Sequence, residues 1–168
     1  MAGITDRLSL LVAEDKGNFI RDSWNRLSGI PGGRMAFSKL LGVAAPYSGT
    51  IGARIEELRP GYCRVVMADR RAVRNHLRSV HAIALANLAE ITGNVALAYS
   101  LPDDARFIVA GLSIEYHKKA RGAITGTFEG SVPENNDKRE YQVPVRLSNK
   151  AGELVATATL RTLVGPKK

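Results

Sequence analysis

The sequence predicts an α+β domain in which an antiparallel sheet of about six strands surrounds one long central helix, with short helices ahead of it. Three observations predict this class. Residues 79–97 are apolar on nearly every side and contain no Lys, Arg, Asp or Pro. Two segments in which apolar and polar residues alternate come before that stretch, and four such segments follow it. A helix that is apolar all round must be covered, and a sheet wrapped around it supplies the cover.

The central helix is expected to start near Ser79, a suitable N-cap, and to reach Leu97. Its length approaches that of a membrane span, but polar residues interrupt it, so we interpret it as a core helix. Three of these residues fall in one narrow stripe at about 100° per residue: Asn87, Glu90 and Asn94. A carboxylate in such a stripe is either a hydrogen-bonded structural acid or a functional group, and the spacing leaves both open.

Residues 1–45 are predicted to form a helical extension packed on a main domain of residues 46–168. We expect three short amphipathic helices, at residues 4–13, 19–27 and 35–43. A helix-breaking segment at residues 30–33 precedes the third helix, and the segment 45–49 ends the helical section. About 45 residues would make a weak domain alone, so the chain should be one structural unit.

From Thr50 the pattern changes to period two. Two strands at residues 51–55 and 62–68, joined by a turn at Arg59-Pro60-Gly61, are predicted to form a hairpin. Four more strands are predicted after the helix, at residues 106–117, 123–130, 141–147 and 154–164. Within residues 106–117 one face should carry Ile108, Ala110, Leu112, Ile114 and Tyr116. Pro144 predicts an edge position or a bulge for its strand.

Composition limits the classes of function. The single cysteine, Cys63, excludes an internal disulfide framework and suits a reducing compartment. Charged residues among the first twenty interrupt any apolar run that could form a signal peptide. We therefore expect a cytoplasmic protein without a membrane partner. The net charge of +8 indicates an anionic partner. The few aromatic residues do not interleave with Lys and Arg, so nucleic acid is not the expected partner. The three histidines have no metal-ligand spacing, so no metal is expected.

Asn75, His81 and Glu90 carry a resemblance to a known family. Asn75 stands six residues before His81, and Glu90 nine residues after it. These spacings resemble the motif of the PaaI-like acyl-CoA thioesterases, in which His-Gly-Gly opens the central helix, and the element order resembles their hotdog fold over roughly residues 46–164. Ala82-Ile83 stands where that family has Gly-Gly, so the chain resembles a side branch of the superfamily with an N-terminal helical extension.

The resemblance implies hydrolysis of an acyl-CoA thioester to a free acid and CoA, with CoA as part of the substrate and no further cofactor. Glu90 would be the nucleophile or the base that activates water. The N–H of Ala82, helped by the helix dipole, would stabilise the oxyanion. Asn75 would hold the water or the carbonyl, and His81 would position the loop or contact the substrate.

Eight residues separate Ala82 from Glu90, about 12 Å along a helix, so one helix cannot direct both at the same carbonyl. We therefore expect a homodimer whose two sites each combine Glu90 of one chain with Asn75 and Ala82 of the other, and further assembly to a tetramer is left open.

The sequence leaves open the role of a basic turn and the choice between an enzyme and a binding protein. Lys118, Lys119 and Arg121 form a basic turn that either binds the CoA phosphates or is simply solvated. The alternative to a thioesterase is a non-catalytic acyl-CoA or fatty-acyl binding protein with the same fold. A Glu90 open to a tunnel would favour hydrolysis, whereas a Glu90 sealed by Asn87 and Asn94 would favour a structural acid.

Overall fold

The computed structural model describes residues 17–167, and the helix predicted at residues 4–13 lies outside them. Three helices come first: α1 (Phe19–Leu27), α2 (Gly33–Ala44) and α3 (Pro46–Gly49). The bounds of α1 are those predicted, and α2 is slightly longer than predicted. The segment 45–49, expected only to end the helical section, contains α3, because Pro46 occupies its first turn, where the missing N–H costs nothing.

The remaining elements follow the predicted order of two strands, one long helix and four strands. They are β1 (Arg54–Arg59), β2 (Tyr62–Met67), a 3-10 helix (Arg71–Val73), α4 (Ala82–Ser100), β3 (Ala105–Tyr116), β4 (Ile124–Glu129), β5 (Arg139–Asn149) and β6 (Leu154–Pro166). The alternation that begins at Thr50 pairs only from Arg54 onward, because Gly52 turns the chain with a φ of 59°.

The six strands form one antiparallel sheet in the order β1-β2-β4-β5-β6-β3, and α4 contacts every one of them. This confirms the predicted α+β class and the sheet wrapped around a central helix. By length and composition α4 could cross a membrane, but 56% of its apolar window is buried inside the protein. It is the core helix that its composition predicted.

The N-terminal helices share the core of the sheet. Trp24 of α1 and Phe37 of α2 are buried, and their rings meet edge to face with centroids 5.1 Å apart. Both belong to the same apolar cluster as the buried residues of α4. Asn18, which caps α1, also donates to the carbonyl oxygens of Ala98 and Leu101, at 2.7 and 3.0 Å. The division at residue 46 stays a prediction.

Strand β3 departs from the expected alternation. Val109 pairs with Thr162 and Gly111 with Arg161, so Ala110 is an extra residue in a β-bulge. The expectation that Ile108 and Leu112 share a face is therefore wrong, because the bulge shifts the alternation by one. Ile108 lies on the outer face, while Leu112, Ile114 and Tyr116 pair with β6 residues that lie on the side of α4.

Pro144 lies in β5, which is an interior strand of the sheet. However, β4 pairs only with residues 146–149 of β5, so Pro144 lies where β5 has a single partner, β6. The ring therefore removes no hydrogen bond to β4. The predicted edge position holds for this half of the strand, although not for the strand as a whole.

Close packing of α4 on the sheet depends on glycine. A Cβ on Gly126 of β4 would overlap Thr92 Oγ1 of α4. We expect Gly126→Ala to destabilise the protein by about 1–3 kcal/mol in urea unfolding, because Thr92 is fully buried and held by its bond to the Leu88 carbonyl.

The matched control is Gly29→Ala, where the added carbon meets nothing within 4 Å and the free energy of unfolding should change by less than about 0.5 kcal/mol. The double variant with Thr92→Ala should lose less stability than the two single losses added together. Strict additivity would show that this contact does not limit the packing.

Candidate active site

The site begins where α4 begins. The predicted N-cap, Ser79, is wrong: α4 starts at Ala82, and His81 is its N-cap, with Nδ1 accepting from the N–H of Ile83 at 3.1 Å. The backbone stays extended before it because Val80 donates to the carbonyl of Ala120 and His81 to that of Val73, each at 2.8 Å. The His81 ring is exposed and can act as this cap only while Nδ1 carries no proton.

Asn75 organises the loop that leads to α4. Its Oδ1 accepts from the N–H of Leu77 and from both the N–H and the hydroxyl of Ser79, at 3.0 to 3.2 Å. The loop is tight enough to hold Arg78 at a φ of 55°. The Nδ2 donors of Asn75 have no hydrogen-bond partner among residues 17–167, so this half-buried side chain has a free amide beside the helix start.

Ala82 offers its backbone at the helix N-terminus. Within the described part of the chain, no acceptor bonds its N–H, as expected for the first residue of a helix. Its carbonyl accepts from the hydroxyl of Tyr116 at 3.1 Å. The hydroxyl of a tyrosine is protonated at neutral pH and can donate, and partial burial raises the pKa of Tyr116 further. Sequence reasoning missed this contact, because no local spacing connects residues on α4 and at the end of β3.

Glu90 is half-buried on α4 and is not sealed by its neighbours. Among residues 17–167 its one side-chain hydrogen bond joins Oε1 to Asn94 Nδ2 at 3.5 Å, the upper limit for such a bond. Asn87 instead donates to the Tyr47 carbonyl of α3 at 3.3 Å. The Oδ1 atoms of Asn87 and Asn94 are buried without partners in the described chain. The carboxylate of Glu90 therefore keeps most of its capacity to accept a proton or a hydrogen bond.

The predicted basic turn lies beside the start of α4. Ala120 in the turn is bonded to Val80, and Asp69 Oδ2 accepts from the N–H of Gly122 at 2.8 Å. Lys118 is paired with Glu153 at 2.8 Å, and this bond lowers the pKa of Glu153. Two further cations of the turn, Lys119 and Arg121, are exposed and form no ion pair within residues 17–167.

The structure thus brings together Asn75, His81, Ala82 and the basic turn at one end of α4. Glu90 lies apart from them, since α4 is unbroken from Ala82 to Glu90 and separates them by about 12 Å along its axis. The lone cysteine does not join either group. Cys63 is fully buried in β2, and burial raises the pKa of its thiol far above neutrality, so it is not a nucleophile.

A sheet wrapped around one helix, with this helix start, defines a protein of the hotdog fold. Residues 33–164 match the family described as Domain of unknown function (DUF4442), and the chain belongs to that family. The hotdog fold that the sequence resemblance implied is thereby confirmed, and the match to a family described only as a domain of unknown function agrees with an uncharacterised branch. No curated protein matches the chain.

Solved structures share the fold. One, a structural-genomics target whose name states neither organism nor activity, is 32% identical, with a TM-score of 0.78 over 88% of this chain and 99% of that chain. A protein of unknown function from Pseudomonas aeruginosa, named a probable thioesterase, is 23% identical, with a TM-score of 0.68 over 82% and 97%. A thioesterase family protein from Silicibacter pomeroyi is 18% identical, with a TM-score of 0.65 over 88% and 96%.

A half-buried acid, Asp69, joins the loop to the turn, and its hydrogen bonds predict a pH dependence of stability. Asp69 Oδ1 accepts from Arg74 Nε at 2.6 Å, and this bond, with that from Gly122, holds the pKa of Asp69 below its usual range. A depressed pKa stabilises the fold above the unfolded value of about 4, and this stabilisation is lost as the pH falls through the folded value.

Asp69→Asn should therefore lower the free energy of unfolding at pH 7, and the gap to the wild type should shrink in urea titrations carried out well below pH 4. Asp137→Asn, at an exposed loop position, is the control and should show no such trend. A gap that is constant across this range would contradict the assignment to Asp69.

Proposed function

We propose that this protein hydrolyses acyl-CoA thioesters, with Glu90 as the base or nucleophile and the N–H of Ala82 as the oxyanion donor. One observation carries the proposal. The central helix has an unsealed carboxylate on its half-buried face and an unbonded N–H at its N-terminus. These are the two groups that acyl transfer from a thioester requires. The names of the Pseudomonas and Silicibacter proteins support the same reaction class.

Glu90, a water molecule and the N–H of Ala82 are sufficient for the proposed hydrolysis. In the general-base form, Glu90 takes a proton from water as the water oxygen attacks the thioester carbonyl carbon. Negative charge develops on the carbonyl oxygen, where the N–H of Ala82 and the positive end of the helix dipole stabilise it. The C–S bond then breaks, and the CoA sulfur receives the proton that Glu90 holds. The free amide of Asn75 orients the water or the carbonyl, and His81 fixes the helix start.

The site is completed by a second copy of the chain. Glu90 and Ala82 lie too far apart on one helix to act on one carbonyl, so a homodimer with two composite sites is required. The sheet supports this assembly, because β3 is its last strand and carries apolar side chains that stay exposed in one chain. These include Leu112 and Tyr116, at 40% and 46%, and Ile83 of α4 is 55% exposed on the neighbouring helix. The free edge of a strand of this length can pair with another strand.

The CoA part of the substrate would extend over the basic turn. Lys119 and Arg121 are the cations available for its phosphates, since Lys118 is held by Glu153. No cofactor or metal enters the scheme.

One observation favours the second candidate, a non-catalytic acyl-CoA binding protein. The N–H of Ile83 is occupied by His81, so it is not available to an oxyanion, and Ala82-Ile83 adds side chains where related motifs have glycine. A site with a single free backbone donor would bind a thioester carbonyl without much acceleration.

The first test is hydrolysis of an acyl-CoA panel by the wild type and by Glu90→Gln, with free thiol as the readout. The variant should lose at least about 100-fold in kcat because it has no base, while its unfolding midpoint stays close to that of the wild type. Glu134→Gln, on an exposed loop, is the control and should retain full activity. Saturable binding of the esters without turnover by the wild type would select the binding protein instead.

Mixed dimers test the composite site. Asn75→Asp keeps the acceptor that holds the loop and removes the amide donor, and Glu90→Gln removes the base. Each variant alone should be nearly inactive, whereas a co-refolded equal mixture should recover roughly a quarter of wild-type activity, because half of the dimers then hold one intact site. No recovery, with mixed dimers verified by mass, would place both groups in sites formed by a single chain.

A further inference from the structure

A groove of about 1000 Å³ lies between the N-terminal helices, α4 and the start of β1. Its lining is mainly apolar and includes residues of five elements: Ile20 of α1, Leu41 of α2, Ile91 and Val95 of α4, Ile55 of β1 and Phe107 of β3. The volume is at the upper end of the range of roughly 300–1,000 Å³ that is usual for small-molecule sites. Sequence reasoning did not predict it, since the N-terminal helices were expected only to pack on the domain.

We infer that this groove binds the acyl chain of the substrate and that it selects medium-length and long fatty-acyl thioesters over acetyl. The inference rests on the proposed function, because it places the acyl chain relative to Glu90. It goes beyond that function by assigning the substrate class to a surface built largely from the N-terminal helices of the same chain.

Continuity with Glu90 is the first argument. Asn94 lines the groove and also contacts the Glu90 carboxylate, so the groove opens next to the reacting end. From there it follows one face of α4, because Ile91, Val95 and Ala98 lie three or four residues apart and share that face. Asn94 is about 6 Å and Ala98 about 12 Å beyond Glu90 along the helix axis. An extended chain attached at Glu90 would therefore lie along this face.

The change of polarity along the groove is the second argument. Asn94, the lining residue that contacts Glu90, lies at the end nearest the proposed reacting group, and its buried Oδ1 has no partner in the described chain. Toward the far end α4 presents Val95 and Ala98, and Ile20 of α1 lies there as well. A thioester has the same polarity, with a polar group at one end and an apolar chain behind it. Each methylene buried in such a surface strengthens binding roughly fourfold.

The far end of the groove is firmly built. Asn18 is buried and bonds the carbonyl oxygens of Ala98 and Leu101, which ties α1 to the last turns of α4. The wall opposite α4 is equally close-packed, since a Cβ on Gly49 of α3 would lie 2.8 Å from the Gly42 carbonyl oxygen of α2. A groove with fixed walls distinguishes chains by length, because its shape is set before the ligand enters.

The test fills the groove two helical turns beyond Glu90. Ala98→Phe adds a ring at its half-buried far end and leaves the carbonyl that Asn18 binds unchanged. Activity is measured on acetyl-CoA, octanoyl-CoA and palmitoyl-CoA. We expect kcat/KM for palmitoyl-CoA to fall at least tenfold, with acetyl-CoA within twofold of the wild type. The matched control is Ala36→Phe, an exposed position of α2 outside the groove, which should leave all three unchanged.

Equal losses on acetyl-CoA and palmitoyl-CoA in Ala98→Phe, with an unchanged unfolding midpoint, would overturn the inference. So would the same length-dependent loss in Ala36→Phe. In either case the groove would not be the determinant of chain length.

Calorimetric titration with laurate separates this inference from the proposed function. In the Glu90→Gln background, which does not hydrolyse esters, laurate should still bind, and Ala98→Phe should weaken that binding at least tenfold. If no ester is hydrolysed but laurate binding shows this loss, the thioesterase proposal fails and the groove assignment stands. If the full-length wild type shows no saturable laurate binding, the groove is filled by the protein itself or by a second copy, and the inference is overturned.

Discussion

Burial of α4 is the constraint on which the rest of the structure depends. The helix has no broad polar face, so its apolar surface must be covered on most sides, and all six strands contact it. Such close contact leaves no room for side chains at Gly126 and little at Gly93, where a Cβ would lie 3.0 Å from Val143. Because α4 is held this tightly, the groups at its N-terminus and on its remaining open face keep fixed positions, which is what pre-organised catalysis needs.

The unbroken helix also separates the two groups that the proposed reaction requires. A continuous helix fixes Ala82 and Glu90 about 12 Å apart, and no rearrangement of one chain can bring them to one carbonyl without breaking α4. The open face of α4 and the edge strand β3 adjoin one another through Tyr116, which bonds the Ala82 carbonyl. The proposed dimer would cover the exposed apolar side chains of this surface and complete the proposed site.

The order of elements could be predicted because it depends on local periodicity, and α1, β2 and the four later strands appear close to the predicted bounds. The first strand, predicted at residues 51–55, lies instead at Arg54–Arg59. Details that depend on distant partners could not be predicted. The bulge at Ala110 is set by pairing with β6. The N-cap is His81 and not the predicted Ser79, because hydrogen bonds to Val73 and Ala120 keep the backbone before α4 extended. In the candidate site, the positions of Asn75 before α4, His81 at its start and Glu90 within it follow from the sequence order, and their roles stay predictions. The contact of Tyr116 exists only in the folded chain.

The proposed chemistry and the proposed selectivity depend on two different parts of the molecule. The groups proposed to react belong to α4 and the loop before it, whereas much of the groove wall comes from α1 to α3, which share the core through Trp24 and Phe37. Asn94 joins the two parts, since it lines the groove and contacts Glu90. A change in α2 or α3 can then alter groove length without moving Glu90 or Ala82, because neither group depends on those helices for its position along α4. Substrate length would accordingly be free to vary among proteins that keep the same α4.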